Sequence, residues 1–411
     1  MDLIEGASAK KTLLWVGDDY RSLTGYGRVA RELFVFLKNV YTIVHYSISY
    51  EGPTDEYLTI NSSDGTGFGF NKLPSLVNNV KPDIIILLND SAIISGWLQK
   101  IQNECTHKCV IIPYLCTEYT GVRDSDVELY NATTNGMLAM ATFTLTEIID
   151  KGYKHNTLRL SHGCSKGIKK IDKSYAKSLL GINPETFVFF SGSKNQPRKR
   201  LDIIIRAFVN FLKKHNEEYV VLMMNCGLVD MGWNIKELYD RLCKENNITN
   251  KDRHLYLCSN NIKDANKSDD ELTVIYNACD VGITTSTGES FGLVPFEQAA
   301  LGVPQIIPNF SGIIEAITQG SINLAAHDYY VYPVVLQSAC GEGQVVNHVN
   351  VTEAMEMYYT KKDVYQLHQR LIINNVLNFT WENISIELIK FIETLITPNN
   401  KPIELKQIEL K

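Results

Sequence analysis

No apolar run in this chain is long enough to span a bilayer, and no N-terminal stretch has the basic-then-apolar form of a signal peptide. Positive charge is scarce. The formal net charge of -6 at pH 7 argues against nucleic acid as a partner, because proteins that grip a phosphate backbone carry a basic surface. The nine cysteines include no Cys-x-x-Cys pair, and no Cys/His spacing suits a metal ion. Most, among them Cys226, Cys258 and Cys279, lie in or beside apolar runs and read as buried free thiols, so a reducing cytosol is the expected compartment. A Gly-x-Ser-x-Gly elbow is missing, which removes support for Ser/His/Asp hydrolysis. No internal repeat or low-complexity tract stands out.

At 411 residues, with 45% hydrophobic and 21% charged residues, the composition is that of a globular protein too long for one ordinary core. Apolar strands alternate with helical stretches in the first half. Leu13 to Gly17 and Tyr41 to Ile48 read as strands, with Arg28 to Val40 between them as an amphipathic helix. Asp83 to Leu88 is a continuous apolar run of the kind found in a central parallel strand covered on both faces. Val110 to Leu115, Phe143-Thr144-Leu145 and Leu158 to Leu160 read as further strands. A lysine-rich stretch interrupts this pattern, and the alternation restarts at Phe187 to Phe190. The expectation is an α/β protein with two Rossmann-like, doubly wound domains facing across a cleft. Its parts are a first domain (1–165), a linker (166–183) with a short helix near Tyr175 to Leu180, a second domain (184–375) and a final helix with a polar tail (376–411). Residues 320 to 350 lack periodicity and read as a long loop or hairpin.

The most informative stretch runs from Thr285 to Pro304. A short apolar strand precedes it, another follows, and a compact helix from about Gly292 to Leu301 lies between. Gly302 suits the left-handed position that ends a helix, and Pro304 blocks its continuation. The unpaired amides at Phe291, Gly292 and Leu293 would form a positive helix end at the carboxyl edge of a parallel sheet, where phosphates tend to bind. Glu289 in the loop and Glu297 in the helix are separated by seven residues. Each carboxylate can accept a fork of hydrogen bonds from vicinal hydroxyls, so the pair suits the two sugar rings of a nucleotide sugar. The plainer alternative is a helix end whose acids complement its dipole.

A second strand–loop–helix unit carries Ser191-Gly192-Ser193-Lys194-Asn195-Gln196-Pro197-Arg198-Lys199-Arg200-Leu201-Asp202. Its density of cations at a strand's carboxyl end suits a diphosphate, in the ground state and as a leaving group. A solvated basic turn is the alternative. Thr24-Gly25-Tyr26-Gly27-Arg28 is a glycine loop opening a helix after the first strand, and Ser161-His162-Gly163 closes the last strand of the first domain. Asp124-Ser125-Asp126 has metal-transferase spacing but lies before a helix, where an N-cap role is expected.

Gly288-Glu289-Ser290-Phe291-Gly292 through Glu297 resembles the Glu-x7-Glu element of retaining glycosyltransferases of family 4, which adopt the GT-B fold. Lys199 and Asp202 match the family's basic motif, with Lys194 where the family has arginine, a change that keeps the charge and loses the planar fork. Gly25 and Gly27 match its glycine loop, His162 and Gly163 its His-Gly pair, and Gly312 and Glu315 its Gly-x-x-Glu. The resemblance implies transfer of a hexose-type sugar from a nucleotide-diphosphate donor to an acceptor hydroxyl, with retention of configuration and no metal or other cofactor. It implies catalytic roles for Glu289, Lys199 and Lys194, and donor contacts from Glu297, Ser290, Phe291, Gly292, Leu293, Gly25, Gly27 and His162. The acceptor (glycan, lipid or protein-linked) would face the first domain, where Glu118 and Tyr119 are candidates. A lipid acceptor would bring peripheral membrane contact. Another GT-B enzyme, such as a nucleotide-sugar epimerase or a phosphorylase, and a non-catalytic sugar-nucleotide sensor remain as alternatives.

Overall fold

The computed structural model describes residues 10–216, 218–259, 265–318, 331–338 and 341–396. The first half builds a seven-stranded sheet from β1 (Thr12–Asp18), β2 (Thr42–Ile48), β3 (Leu58–Asn61), β4 (Ile84–Asn89), β5 (Val110–Leu115), β6 (Gly136–Ala139) and β7 (Asn156–Arg159). Their spatial order is β3-β2-β1-β4-β5-β6-β7, all parallel, with Trp15 in register with His45 on one side and Ile86 on the other. Every residue of β4 is buried, as its unbroken apolar sequence requires of a strand covered on both faces. The crossovers are α1 (Gly25–Leu37), α2 (Leu73–Val80), α3 (Ser91–Glu104), α4 (Asp124–Thr133) and α5 (Thr142–Asp150).

After α6 (Lys173–Leu179), the second half repeats the plan with β8 (Phe187–Gly192), β9 (Val220–Asn225), β10 (Leu255–Leu257), β11 (Val281–Ile283) and β12 (Gln305–Ile306). These strands are parallel in the order β10-β9-β8-β11-β12. Its helices are α7 (Leu201–His215), α8 (Ile235–Glu245), α9 (Asp269–Ala278), α10 (Leu293–Ala300) and α11 (Ser311–Thr318). An antiparallel hairpin, β13 (Val331–Ser338) and β14 (Gly341–Val346), precedes α12 (His348–Thr360), α13 (Lys362–Val376) and α14 (Trp381–Ile396). In both sheets the order reverses beside the first strand, at β1/β4 and β8/β11, and such reversals open a crevice at the carboxyl edge.

Two expectations change. Phe143-Thr144-Leu145 is not a strand but part of α5, where Thr144, Leu145 and Ile148 fall on one buried face. The strand is instead the short Gly136–Ala139, four wholly buried residues. The short helix expected near Tyr175 to Leu180 is α6, whose Lys177 is buried and donates to Asp280 Oδ2 at 2.9 Å and to the Thr186 carbonyl at 2.7 Å, packing it against the second sheet. Asp124 and Asp126 do not cap α4. Arg123 holds the cap position, the two acids lie in the first turn, and Arg123 Nε donates to Asp126 at 2.8 Å.

The last described helix, α14, returns to the first domain. Trp381, Ile384, Leu388 and Ile392 share one apolar cluster with Leu33 and Leu37 of α1. Phe291, Phe296 and Ile313 of the second half join the same cluster, so the two bodies meet through a common core beneath the crevice. Tyr41 donates to Glu393 at 3.1 Å, and the Cys164 amide to the Phe379 carbonyl at 2.9 Å. Among the described residues no helix is long and apolar enough to cross a membrane.

Candidate active site

Two helix amino ends face each other across the crevice. Thr24 caps α1 by accepting from the Gly27 amide at 3.0 Å, and its own hydroxyl donates to Asp18 at 2.6 Å. Gly27 has no room for a side chain, since a Cβ would lie 2.2 Å from Ser22 Oγ and 2.5 Å from the Asp19 carbonyl. Gly25 looks toward Leu293, the first residue of α10, with a built Cβ 3.5 Å from its Cδ1. Gly292 starts α10 with φ +85°, a conformation that side-chain-bearing residues rarely adopt. The amides of Phe291, Gly292 and Leu293 make no hydrogen bond to any described residue. They form the positive end of α10, with α1 opposite.

The basic loop is held from below by Asn195, which is fully buried. Its amide donates to the carbonyls of Gly227 (2.8 Å) and Trp233 (2.7 Å) and its oxygen accepts from the Trp233 amide (3.0 Å). Arg200, at φ +49°, turns the chain into α7 and forks onto Asp202 at 2.9 and 3.0 Å. Pro197 to Lys199 form one tight turn that projects two cations at Glu289. Lys199 Nζ donates to Glu289 Oε1, and Arg198 Nη1 lies 3.6 Å from Oε2. Burial works against the charge on Glu289, but the two cations more than offset it and hold the carboxyl below its ordinary range. Lys194 is exposed and pairs with no acid among the described residues.

Arg198 also reaches the opposite wall, where it pairs with Glu118, just beyond β5. Burial pushes Glu118 up to about 7, with Arg198 pulling the other way and Glu289 reinforcing the rise. Asp18, the last residue of β1, is likewise raised by burial and by neighbouring Asp90. Tyr119 closes the contact between the two halves through a 2.7 Å hydrogen bond with Thr287. Gly288 makes it possible, since a Cβ there would sit 2.3 Å from the Tyr119 ring and 2.4 Å from the Glu118 carbonyl. The Glu118–Arg198–Glu289–Lys199 chain thus runs across the crevice.

Glu297 is deeper, only 4% exposed. Arg28 Nη1 donates to its Oε1 at 2.9 Å, and Tyr276 donates to Oε2 at 3.3 Å. Arg28 Nη2 donates to Asp269 at 2.7 Å. His162 is buried against Phe291 (ring centroids 4.5 Å apart) and stacked on Trp381 (5.5 Å). Neither ring nitrogen has a partner among the described residues, and burial lowers its pKa to about 3, so the ring is neutral. At 2% exposure it supports Phe291 from behind rather than facing the crevice. Ser290 is half-buried, and its carbonyl would be 1.8 Å from a Cβ on Gly312. Glu315 spans the two halves, accepting from the Thr142 amide at 2.8 Å and pairing with Arg159, so it is a strut.

The structure therefore gathers Glu289, Lys199, Ser290, Phe291, Gly292, Leu293 and Gly25 at one crevice. It leaves Lys194 apart from these ion pairs, places Gly27 in the packing of the loop, and puts His162 beneath Phe291. Sequence reasoning gave no role to Arg198, Arg28 or Asn195. Arg198 lies beside Lys199 within the basic motif and Arg28 directly follows the glycine loop, so adjacency was the available signal. Nothing local distinguishes Asn195.

Residues 174–329 match the family described as Glycosyl transferases group 1. An uncharacterized glycosyltransferase of Methanocaldococcus jannaschii is 24% identical over 217 residues, covering 53% of this chain and 47% of that protein. A D-inositol 3-phosphate glycosyltransferase of Rhodococcus jostii is 28% identical over 174 residues, covering 42% and 36%. The chain thus spans less than half the length of either relative. Similar solved structures include Anabaena HepE in complex with UDP and glucose, with TM-score 0.66, 13% identity and coverage of 93% of this chain and 100% of that one. Sucrose-phosphate synthase from Thermosynechococcus elongatus gives TM-score 0.70 and 14% identity, covering 95% and 100%. The architecture is the GT-B fold.

Proposed function

Starting from a GT-B chain whose second domain matches group 1 glycosyltransferases, we propose that it moves a sugar from a nucleotide-diphosphate donor to an acceptor hydroxyl, with retention of anomeric configuration and without a metal. The observation that carries this reading is the convergence of Lys199 and Arg198 on Glu289 beside the free amides of α10. The diphosphate rests on those amides and the two cations, with the donor sugar against Glu289. Phe291, seated on His162, forms the wall behind it. Arg198 takes the place that the family pattern gives to the residue at position 194.

In the proposed step the bond between the anomeric carbon and the diphosphate oxygen breaks, and the acceptor oxygen bonds to the same face. The acceptor's proton passes to the departing phosphate oxygen. Lys199, Arg198 and the α10 amides stabilise the charge that grows on the diphosphate. Glu289, kept ionised by its two partners, accepts hydrogen bonds from the donor sugar. Glu118 lies on the first-domain side, where the acceptor approaches.

UDP is bound in the HepE structure, so a UDP-sugar is the first donor to test. The experiment is a panel of nucleotide sugars assayed for slow hydrolysis, which requires no knowledge of the acceptor. Release of sugar and nucleoside diphosphate from one donor supports the reading. An isomerised donor, release that depends on added phosphate, or binding with no turnover would each replace it.

A further inference from the structure

We propose that Arg28, supplied by the first domain, is the positioning residue that makes Glu297 able to recognise the cis-diol of a ribonucleotide, and so sets the donor class to ribo- rather than 2′-deoxyribonucleotide sugars. This inference rests on the donor reading above. It begins from a charge count. Glu297 is a buried carboxylate in the second domain, and the partner that compensates it comes from the other half of the molecule, 269 positions earlier in the chain. Arg28 is itself anchored, with one nitrogen on Glu297 Oε1 and the other on Asp269 Oδ1, so its planar fork has a single orientation. Tyr276 takes one site on Oε2. A carboxylate offers about four lone-pair sites, so two remain for a pair of hydroxyls.

The groups around Glu297 come from three elements. Arg28, Arg31 and Glu32 belong to α1, Asp269 and Tyr276 to α9, and Cys164 to the stretch after β7. Burial pushes Glu297 up to about 7, with Arg28 as the largest opposing influence and Asp269 and Glu32 reinforcing the rise. That value already includes Arg28, so without its guanidinium the carboxyl would hold its proton to still higher pH. A neutral acid gives weaker hydrogen bonds to hydroxyls than a carboxylate does. Because the guanidinium comes from α1, Glu297 is complete only while the two domains are apposed as they are here. Nucleoside recognition is thereby coupled to their contact.

The test measures binding by calorimetry on the full chain, using UDP, GDP and ADP, each against its 2′-deoxy form, from pH 6 to 9. The wild type is expected to favour the ribo form by about tenfold or more at pH 8 to 9, where Glu297 is ionised, because a buried acceptor left without its hydroxyl is costly. Arg28→Ala should bring the ribo/deoxy ratio close to one at pH 7 to 8, where the wild type keeps most of its preference, and recover part of it toward pH 9 as Glu297 loses its proton. Arg28→Lys, which keeps the charge, should retain most of the ratio. Arg28→Gln, which keeps much of the volume and a hydrogen-bond donor but not the charge, should lose the ratio as the alanine variant does and serves if that variant fails to fold. Equal losses for ribo and deoxy forms at every pH would mean a merely structural role and overturn the proposal. Unchanged or tighter ribonucleotide binding by Arg28→Ala would overturn it as well. If the wild type bound none of the six nucleotides, the donor reading itself would fall; normal binding with an unaltered ratio would sink only the role of Arg28.

Discussion

Replacing Lys199 by alanine tests the proposed chemistry most directly. Lys199 Nζ touches Glu289 in a site where both side chains are 13–14% exposed, so its charge is little screened. Removing one preorganised donor from such a site costs about 3–4 kcal/mol of transition-state stabilisation, which corresponds to roughly 10²–10³-fold in rate. The fold should suffer far less. Glu289 keeps Arg198 at 3.6 Å, and its backbone amide still donates to Ser311 Oγ at 3.2 Å. The variant therefore escapes the roughly 3–5 kcal/mol of a fully orphaned buried charge, and its Tm should drop by no more than about 4 °C. Donor hydrolysis and a thermal melt of the same preparation separate the two effects. Turnover within tenfold of wild type would refute the assignment of Lys199 to the leaving group. A collapse of Tm would show instead that the ion pair is chiefly structural.

Other outcomes follow from the same geometry. Arg198→Ala should lower donor turnover more than Lys194→Ala does, since only Arg198 reaches Glu289; the reverse order in parallel hydrolysis assays would restore position 194 to the role implied by the family pattern. Glu118→Gln should gain stability relative to wild type as pH rises. The folded Glu118 binds its proton up to about pH 7 whereas the unfolded chain releases it near 4.5, so wild-type stability is lost between those values and levels off above them. Paired denaturant melts at pH 5 and pH 8 should show a difference of about 1–2 kcal/mol that grows with pH, and a difference favouring wild type at pH 8 would reverse the reasoning. Gly288→Ala must push Tyr119 or the Glu118 carbonyl aside, so about 1–3 kcal/mol of stability and most of the turnover should go together. Full activity in that variant would mean the close approach of the two halves is dispensable. Turnover of the wild-type chain should be unchanged by EDTA, because the reading gives the diphosphate's charge to Lys199, Arg198 and backbone amides; loss that magnesium restores would contradict it.

Much of this molecule could be read from local pattern. Continuous apolar runs such as Ile84 to Leu88 declare buried parallel strands, and their alternation with amphipathic helices leads to two doubly wound sheets, because neither periodicity depends on distant residues. Glycine and proline punctuation placed α10 to within a residue at each end, since φ +85° at Gly292 and +79° at Gly302 exclude most other side chains. The spacing of Glu289 and Glu297 could likewise be read directly. Where a local preference was weak, burial decided: Phe143-Thr144-Leu145 suits a strand by composition, yet its burial follows a helical face. Which cations serve which acids is another matter. Arg28 and Glu297 are 269 positions apart, and Arg198 reaches Glu118 on the far wall; such pairs exist only because two sheets reverse their strand order at facing edges. A one-dimensional pattern records a residue's charge and its neighbours in the chain. The desolvation that makes an ion pair matter, and the partner that offsets it, are properties of a place that forms only when both halves have folded and met.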